Sequence, residues 1–430
     1  MNGWMGGTVW MKKFFTKIMK LFYKYDSRYK IVKDNEFKYD KTIVWSVDHS
    51  WNSVEWCLPG LYYLKKHYNV NLVFLAADPE IWQRAHEEEN IYAKLKDICD
   101  VIIINTVDPS ICNWLQRKIY RLRKSLLEEE ALKYFFGDIK INVLLEISNP
   151  KSVDLYFRKY HSDTVRIEYE HSTCTEQTTT RGEKKISMPD VDWVLCTQNA
   201  PFNLEEDFNR CKAIVTGAPQ LDDWWREFIG KEYILELKNN LDSNRKTILV
   251  LLPNMLANER WYREDKEALI KTLRYLCEED NIVLKFHPRE KLETRKAFLK
   301  DIYTNNQVGK INVTMINTEC VAKIADCVIV AGATGSAGAA VINDVPVIEF
   351  HSNRNILDVF YCENGQYGTL LKVKNAIMSA EDYDSLVAAI NGVLYHNTWD
   401  MYRGRYKEYI DHDNKASQRF AEALIKIMEQ

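Results

Sequence analysis

From Thr42 onward, short runs of β-branched and aromatic residues alternate with longer helical stretches, and the alternation comes in two blocks. In the first block Thr42–Val47, Val70–Ala77, Val101–Asn105, Ile141–Ser148, Val165–Tyr169, Trp193–Thr197 and Ala213–Gly217 read as strands, with helices over 54–67, 79–96 and 109–135. A polar stretch, Asn239–Lys246, precedes the second block. There Thr247–Leu252, Ile282–Phe286, Ile311–Ile316, Val328–Val330 and Val345–Phe350 read as strands, with helices over 262–279, 290–303, 318–326 and 336–343. Apolar runs without alternation suit strands covered on both faces, the condition of a parallel sheet flanked by helices. Two such blocks predict two doubly wound α/β domains facing each other across a cleft. The expected boundaries are 36–240 for the first domain and 241–395 for the second, followed by C-terminal helices over 396–430 that cross back to the first domain.

A length of 430 residues accommodates two or three domains. The balance of 58 basic against 61 acidic residues leaves a net charge of −3, which argues against nucleic acid as a partner. Ten cysteines occur with no Cys-x-x-Cys pair and no zinc-finger spacing, the usage of small buried thiols in a reducing cytoplasm.

The basic excess is concentrated at residues 10–30, within a segment expected to be helical over 1–35. On a helical wheel Met11, Phe14, Phe15, Ile18, Leu21, Phe22 and Tyr25 share one face, and Lys13, Lys17, Lys20, Lys24 and Arg28 the other. Lysines interrupt the run too often for a signal peptide or a span, which needs ~20 apolar residues. Such a helix either lies on an anionic membrane surface or packs on the domain with its lysines in water. The first alternative makes the protein peripheral on the inner face of the cell membrane.

Ligands of parallel sheets gather where the strands end, so residues just after each strand are the candidates for chemistry. Asp48-His49 follows the first strand, and His49 is an acceptor-side candidate. Glu168-Tyr-Glu170-His171-Ser-Thr173 ends another, and a histidine beside carboxylates such as Glu170 suits a general base. Thr216-Gly-Ala-Pro-Gln-Leu-Asp222 closes the first block. In Lys285-Phe-His-Pro-Arg289, Pro288 stops the strand and holds His287 at the sheet edge, where it and Arg289 suit a phosphate. Asn254 and Arg260, beyond Leu252, are further phosphate-side candidates. Gly332, Gly335 and Gly338 lie in a strand-to-helix loop with the hydroxyls of Thr334 and Ser336. Their G-x-x-G-x-x-G spacing is neither the dinucleotide fingerprint nor a Walker loop, leaving anion binding or close packing as its purpose. Asp190-Val-Asp192 has the spacing of a metal-binding Asp-x-Asp, but it precedes its strand and reads as a solvated lead-in.

The order of these elements resembles GT-B glycosyltransferases, two Rossmann-like domains, and most nearly the CDP-glycerol glycerophosphotransferase (teichoic-acid polymerase-like) family. Asp413-Asn-Lys-Ala-Ser-Gln-Arg419 looks like that family's ending, Asp-Gly-Lys-Ala-Ser-x-Arg, and the likeness covers roughly 165–425. The family's catalytic His-Gly-Thr falls on His171-Ser172-Thr173, which implies His171 as general base. Its His-Pro falls on His287-Pro288, implying contact with the donor diphosphate, and its Asp-Tyr-Ser-Ser loop on Ala333-Thr334-Gly335-Ser336, where the acidic residue is absent. The resemblance implies a transferase without metal or other cofactor, taking a cytidine-nucleotide donor (CDP-polyol or CMP-sugar) and a glycan or polyol acceptor, possibly lipid-linked. UDP-N-acetylglucosamine 2-epimerases share the Thr-Gly-x-Pro-x-x-Asp element and the two-domain plan, which makes an epimerase the alternative. A nucleotide-sensing membrane scaffold without turnover is the non-enzymatic one.

Overall fold

The computed structural model describes residues 29–47, 51–77, 81–82, 85, 89–105, 129, 132–137, 139–147, 151–169, 191–197, 212–253, 262–287, 290, 292–303, 311–332, 334–352, 361–363, 365–410 and 412–430. The chain divides into two compact units: Met1–Val54 with Lys65–Glu168 and Gln430, and Glu55–Leu64 with Tyr169–Glu429.

The first unit carries strands β1 (Tyr29–Asp34), β2 (Thr42–Val47), β3 (Asn71–Ala76), β4 (Val101–Asn105), β5 (Val143–Ile147) and β6 (Val165–Tyr169, whose last residue belongs to the second unit). Its helices are α1 (Trp51–His67, whose middle belongs to the second unit), α2 (Glu89–Ile98) and α3 (Lys151–Tyr160). The strands lie in the order β1-β4-β3-β2-β5-β6, all parallel except β1, which runs antiparallel to β4. Every residue of β2, β3 and β4 is buried, the condition of strands covered on both faces, and all but Thr42, Ser46, Asn71 and Asn105 are apolar. The helix expected over 1–35 is corrected at its end: Tyr29–Asp34 is an edge strand. Lysines three apart fit a helix or an edge, and tertiary contact decides. Tyr29 is buried, and the Lys33 ammonium donates to the carbonyls of Lys96 (2.7 Å) and Cys99 (2.5 Å). Residues 1–28, with the amphipathic stripe, lie outside the described residues.

The second unit opens with the parallel pair β7 (Trp193–Cys196) and β8 (Lys212–Val215) and helix α4 (Asp223–Asn239). Then follow β9 (Thr247–Leu251), α5 (Arg263–Leu276), β10 (Asn281–Lys285), α6 (Leu292–Ile302), β11 (Ile311–Thr314), α7 (Thr318–Val321), β12 (Cys327–Ala331), α8 (Ser336–Val341) and β13 (Val347–Phe350). A hairpin of β14 (Tyr361–Glu363) and β15 (Gln366–Gly368), α9 (Leu370–Val373), β16 (Met378–Ala380), α10 (Tyr383–His396) and α11 (Ala416–Met428) complete it. Six strands form a fully parallel sheet in the order β11-β10-β9-β12-β13-β16. Successive side chains of a strand point to opposite faces, and both faces are packed. Ile248, Val250, Ile282, Leu284 and Ile329 meet α5, α6 and α10 through Leu273, Phe298 and Ile390. Leu249, Leu251, Val283, Val328 and Val330 face Ala337 and Val341 of α8 and Leu371 of α9.

The stretch expected as C-terminal helices over 396–430 holds one α-helix, α11, among its described residues after the end of α10. Asn397, Gly404 and Asn414 take positive φ (53°, 78° and 63°), leaving two 3₁₀ turns, Thr398–Met401 and Arg405–Glu408, before α11. The start of α11 is held by residues nearly two hundred positions earlier. The Asp222 carboxylate accepts from the backbone amides of Ala416 (3.1 Å) and Ser417 (2.7 Å), which have no partner inside the helix. Arg419 donates from Nε to the Thr216 carbonyl (3.0 Å) and from a terminal nitrogen to Asp413 Oδ2 (2.5 Å). Gly217 has φ +81°, and a Cβ there would sit 2.7 Å from the Arg419 guanidinium, so only glycine lets the chain turn beneath it. Phe420 then meets Tyr169 edge to face at 5.3 Å. The motifs Thr216–Asp222 and Asp413–Arg419 are thus two halves of one lock. Asp222→Ala should cost about 1–3 kcal/mol through the two orphaned amides, and Asp222→Asn less. Urea denaturation checks this; an unchanged midpoint for the alanine variant would show that the cap contributes nothing.

Candidate functional site

The order β11-β10-β9-β12-β13-β16 reverses at β9: the chain runs outward through β10 and β11, then returns to β12 on the other side. The crevice outside the carboxyl ends of β9 and β12 is therefore the topological switch point, where open parallel sheets take ligands. In the sheet register Leu251 lies beside Lys285 on one side and Val330 on the other. Continued two residues, the register puts His287, Pro253 and Gly332 in a row along that edge. At one strand spacing of ~4.8 Å per step, His287 and Gly332 are about 10 Å apart.

Each member of the row is placed by its neighbours. Phe286 is fully buried, and the amide of Glu290 closes back on the His287 carbonyl (2.9 Å), leaving His287 half-buried at the edge. Gly332, at φ +75°, donates its amide to the Phe350 carbonyl (2.8 Å), and a Cβ there would touch Pro253 at 3.6 Å. Positive φ is what turns the chain out of β12 into the loop. Thr334 Oγ1 accepts from the Ser336 amide (3.1 Å), and the Thr334 carbonyl accepts from Ala337 (3.2 Å). Thr334, Gly335 and Ser336 are all half-buried. Of the residues named at strand ends, His287, Thr334, Gly335 and Ser336 are brought to this one edge. His49, Glu170, His171, Asn254, Arg260, Pro288 and Arg289 lie outside the described residues. Asp192 stands ahead of β7, and its carbonyl accepts from the Lys212 amide (3.0 Å).

Two buried polar clusters escaped the sequence reading. In the second unit, Glu349 stands one residue before the end of β13 with its carboxylate wholly enclosed. One oxygen lies 2.8 Å from His351 Nε2 and accepts from the Thr369 amide (3.0 Å); the other accepts from the Thr369 hydroxyl (2.5 Å). His351 Nδ1 lies 2.8 Å from the Ser352 carbonyl, and the buried Lys372 ammonium is 3.3 Å from Nε2. Burial pushes the Glu349 carboxyl up, but the His351 hydrogen bond and the charges around it prevail and hold it below the usual carboxylate range. Burial pulls Lys372 down against the attraction of Glu349. Glu349 pairs in register with Val330, so the cluster stands on the face of the sheet that also carries α8. The only clue in the sequence is an acid inside the apolar run Val345–Phe350.

In the first unit the corresponding anomaly is Glu146 of β5, 1% exposed, with neither carboxyl oxygen hydrogen-bonded. Burial, then the nearby charges of Asp154 and Glu168, push its carboxyl up to about 8, against the weaker pull of Arg166 and Arg158. Those arginines are engaged elsewhere: Asp154 accepts from Arg158 (2.7 Å) and Arg166 (2.8 Å).

Two α/β units built on parallel sheets define a GT-B fold. Neither a family model nor a curated protein sequence matches the chain. Solved structures do. The UDP-GlcNAc 2-epimerase of Neisseria meningitidis bound to UDP-GlcNAc superposes with TM-score 0.57 at 12% identity, over 90% of this chain and 100% of that one. The UDP-GlcNAc 2-epimerase of Methanocaldococcus jannaschii gives 0.56 at 12% identity, over 90% and 99%. CalG4, the calicheamicin glycosyltransferase, gives 0.55 at 9% identity, over 91% and 99%. At such identities the likeness is one of fold.

Glu349→Leu should destabilise by about 3–5 kcal/mol, because the buried Lys372 loses its counter-charge and Thr369 and His351 lose their hydrogen-bond partner. The contribution of Glu349 is present above the ordinary carboxylate range and lost as pH falls through its lowered value. Glu146 behaves oppositely. Between the ordinary value of 4.5 and about 8 the unfolded chain has released this proton while the folded chain keeps it, so stability falls as pH rises. The slope is about 1.4 kcal/mol per pH unit, and Glu146→Gln should remove it in denaturation midpoints taken across that range.

Proposed function

We propose that the protein is an enzyme of nucleotide-activated sugars or polyols, and that it transfers the activated group from a cytidine-nucleotide donor to a glycan or polyol acceptor. The observation that carries the reading is the row at the switch point, where an imidazole and a hydroxyl-bearing glycine loop share one sheet edge. His287 and the loop Gly332–Ser336 hold the donor phosphates, with Arg289, Asn254 and Arg260 as further partners. Fixed dipoles and cations there stabilise the charge that develops on the departing nucleotide. His171 takes the proton of the acceptor hydroxyl. With a CDP-polyol the hydroxyl oxygen attacks phosphorus; with a CMP-sugar it attacks the anomeric carbon. No metal takes part, and residues 10–30 hold the enzyme to an anionic membrane surface. The His-Pro element and the hydroxyl loop support the cytidine donor by family resemblance. The ending Asp413–Arg419 supports the architecture alone, since its contacts are those of a helix lock.

A second reading is a 2-epimerase acting on UDP-N-acetylglucosamine, favoured by the neighbour of the same fold that carries UDP-GlcNAc. The two readings part on the nucleotide. A thermal-shift series with CMP, CDP, CDP-glycerol, UMP, UDP and UDP-N-acetylglucosamine should show stabilisation by the cytidine set, ~2.7 kcal/mol at 100 times the dissociation constant. Response to the uridine set alone, with epimerised sugar and no released nucleotide, selects the epimerase; response to neither rejects both. His287→Ala should weaken nucleotide binding. His171→Ala should leave binding intact and slow turnover ~10²–10⁴-fold, with turnover persisting in EDTA.

A further inference from the structure

Ser46 of β2 and Glu146 of β5 are register partners on adjacent parallel strands, each one residue short of its strand's carboxyl end. Leu75, the partner of Ser46 on β3, packs with Val44 and Leu144 against Val153, Tyr156 and Phe157 of α3. Alternation along a strand puts Ser46 and Glu146, two residues beyond Val44 and Leu144, on that same face about 4.8 Å apart. Ser46 is 0% and Glu146 1% exposed, and neither the hydroxyl nor either carboxyl oxygen has a hydrogen-bond partner. Leaving one such group unmade costs about 1–3 kcal/mol, and folded proteins rarely do so without a purpose. The charges nearby do not supply the missing bonds: Arg158 and Arg166 each bond Asp154, and neither bonds Glu146. A serine hydroxyl and a protonated carboxyl each offer one donor and spare lone pairs, the complement of a neutral hydroxyl and not of an anion or a cation.

We infer that Ser46 and Glu146 form a two-point subsite in the first unit for a neutral hydroxyl of a sugar or polyol. The hydroxyl accepts the proton of the Glu146 carboxylic acid in a hydrogen bond and donates its own to Ser46 Oγ or the second carboxyl oxygen. No covalent bond changes. The inference rests on the reading that the protein handles a nucleotide-activated sugar or polyol, and it adds the group that recognises the neutral part.

Infrared difference spectroscopy of the full chain tests it. Wild type at neutral pH should show the carbonyl stretch of a buried carboxylic acid that is absent from Glu146→Gln. Saturating CDP-glycerol or UDP-N-acetylglucosamine, and free glycerol or N-acetylglucosamine, are then added in separate arms. A shift of that band with either sugar or either polyol supports the subsite. A shift with the free compounds while no nucleotide conjugate binds keeps the subsite and rejects the nucleotide reading. A nucleotide conjugate that stabilises the protein while the band stays fixed in all four arms overturns the subsite and keeps the reading. A fixed band with no binding of any probe overturns the subsite too, as does a band present in the glutamine variant; the pair then encloses a structural water only. Glu146→Leu, which replaces an unsatisfied carboxyl by an apolar group of similar size, should raise the denaturation midpoint. It should also weaken binding of the compound that shifts the band roughly tenfold, the loss of about one hydrogen bond.

Discussion

The carboxylate of Asp222 at the start of α11 is the contact on which the second unit depends. It joins residue 222 to residues 416 and 417, closing a loop that contains the whole six-stranded sheet. Helix α11 is tied down at its first turn, by Arg419 on the Thr216 carbonyl and by Phe420 on Tyr169. A buried carboxylate aimed at two free amides does the work of a helix cap, supplied from another element.

Within that closed unit the parallel sheet does the positioning. Both faces are filled with aliphatic side chains, so the strands cannot slide without exposing them, and the carboxyl ends are held in register. The row of His287, Pro253 and Gly332 follows from that register. The Glu349 cluster stiffens the same edge: it ties β13 to the start of α9, while the next residue along, Phe350, takes the Gly332 amide. The first unit spends its polar groups differently. Asp154 binds two arginines, and Glu146, close by, is left without a partner.

Much of the architecture was legible because burial on two faces writes itself as unbroken apolar runs. Val165–Tyr169 and Val101–Asn105 are strands with the ends expected of them, and most others differ by a residue or two. Helices α3 and α4 and strand β1 were harder to read. Helix α3 is short and carries its apolar stripe, Val153, Tyr156 and Phe157, among charged residues; α4 mixes charges and aromatics without a clean stripe; and β1 is an edge strand whose lysine spacing fits a helix as well. At the candidate site, His287 and the loop Thr334–Ser336 were legible because glycine, proline and small hydroxyl residues mark strand ends. Glu349 and Glu146 were not: an acid inside an apolar run has no local signature to tell a buried network from an irregular strand. The motif Thr216–Asp222 was legible as a motif but not as half of a lock, since its other half lies some two hundred residues away.

The sequence by itself determined that this chain forms two α/β units with parallel strands, because the period and length of its apolar runs admit little else. Only the tertiary structure decided which polar groups face one another. Asp222 meets Ala416 and Ser417, His351 meets Glu349, and Ser46 stands beside Glu146 with neither hydrogen-bonded, because those neighbours are set by strand order and by packing across the sheet. Local propensity is a property of consecutive residues; the partners of a buried charge are a property of the fold.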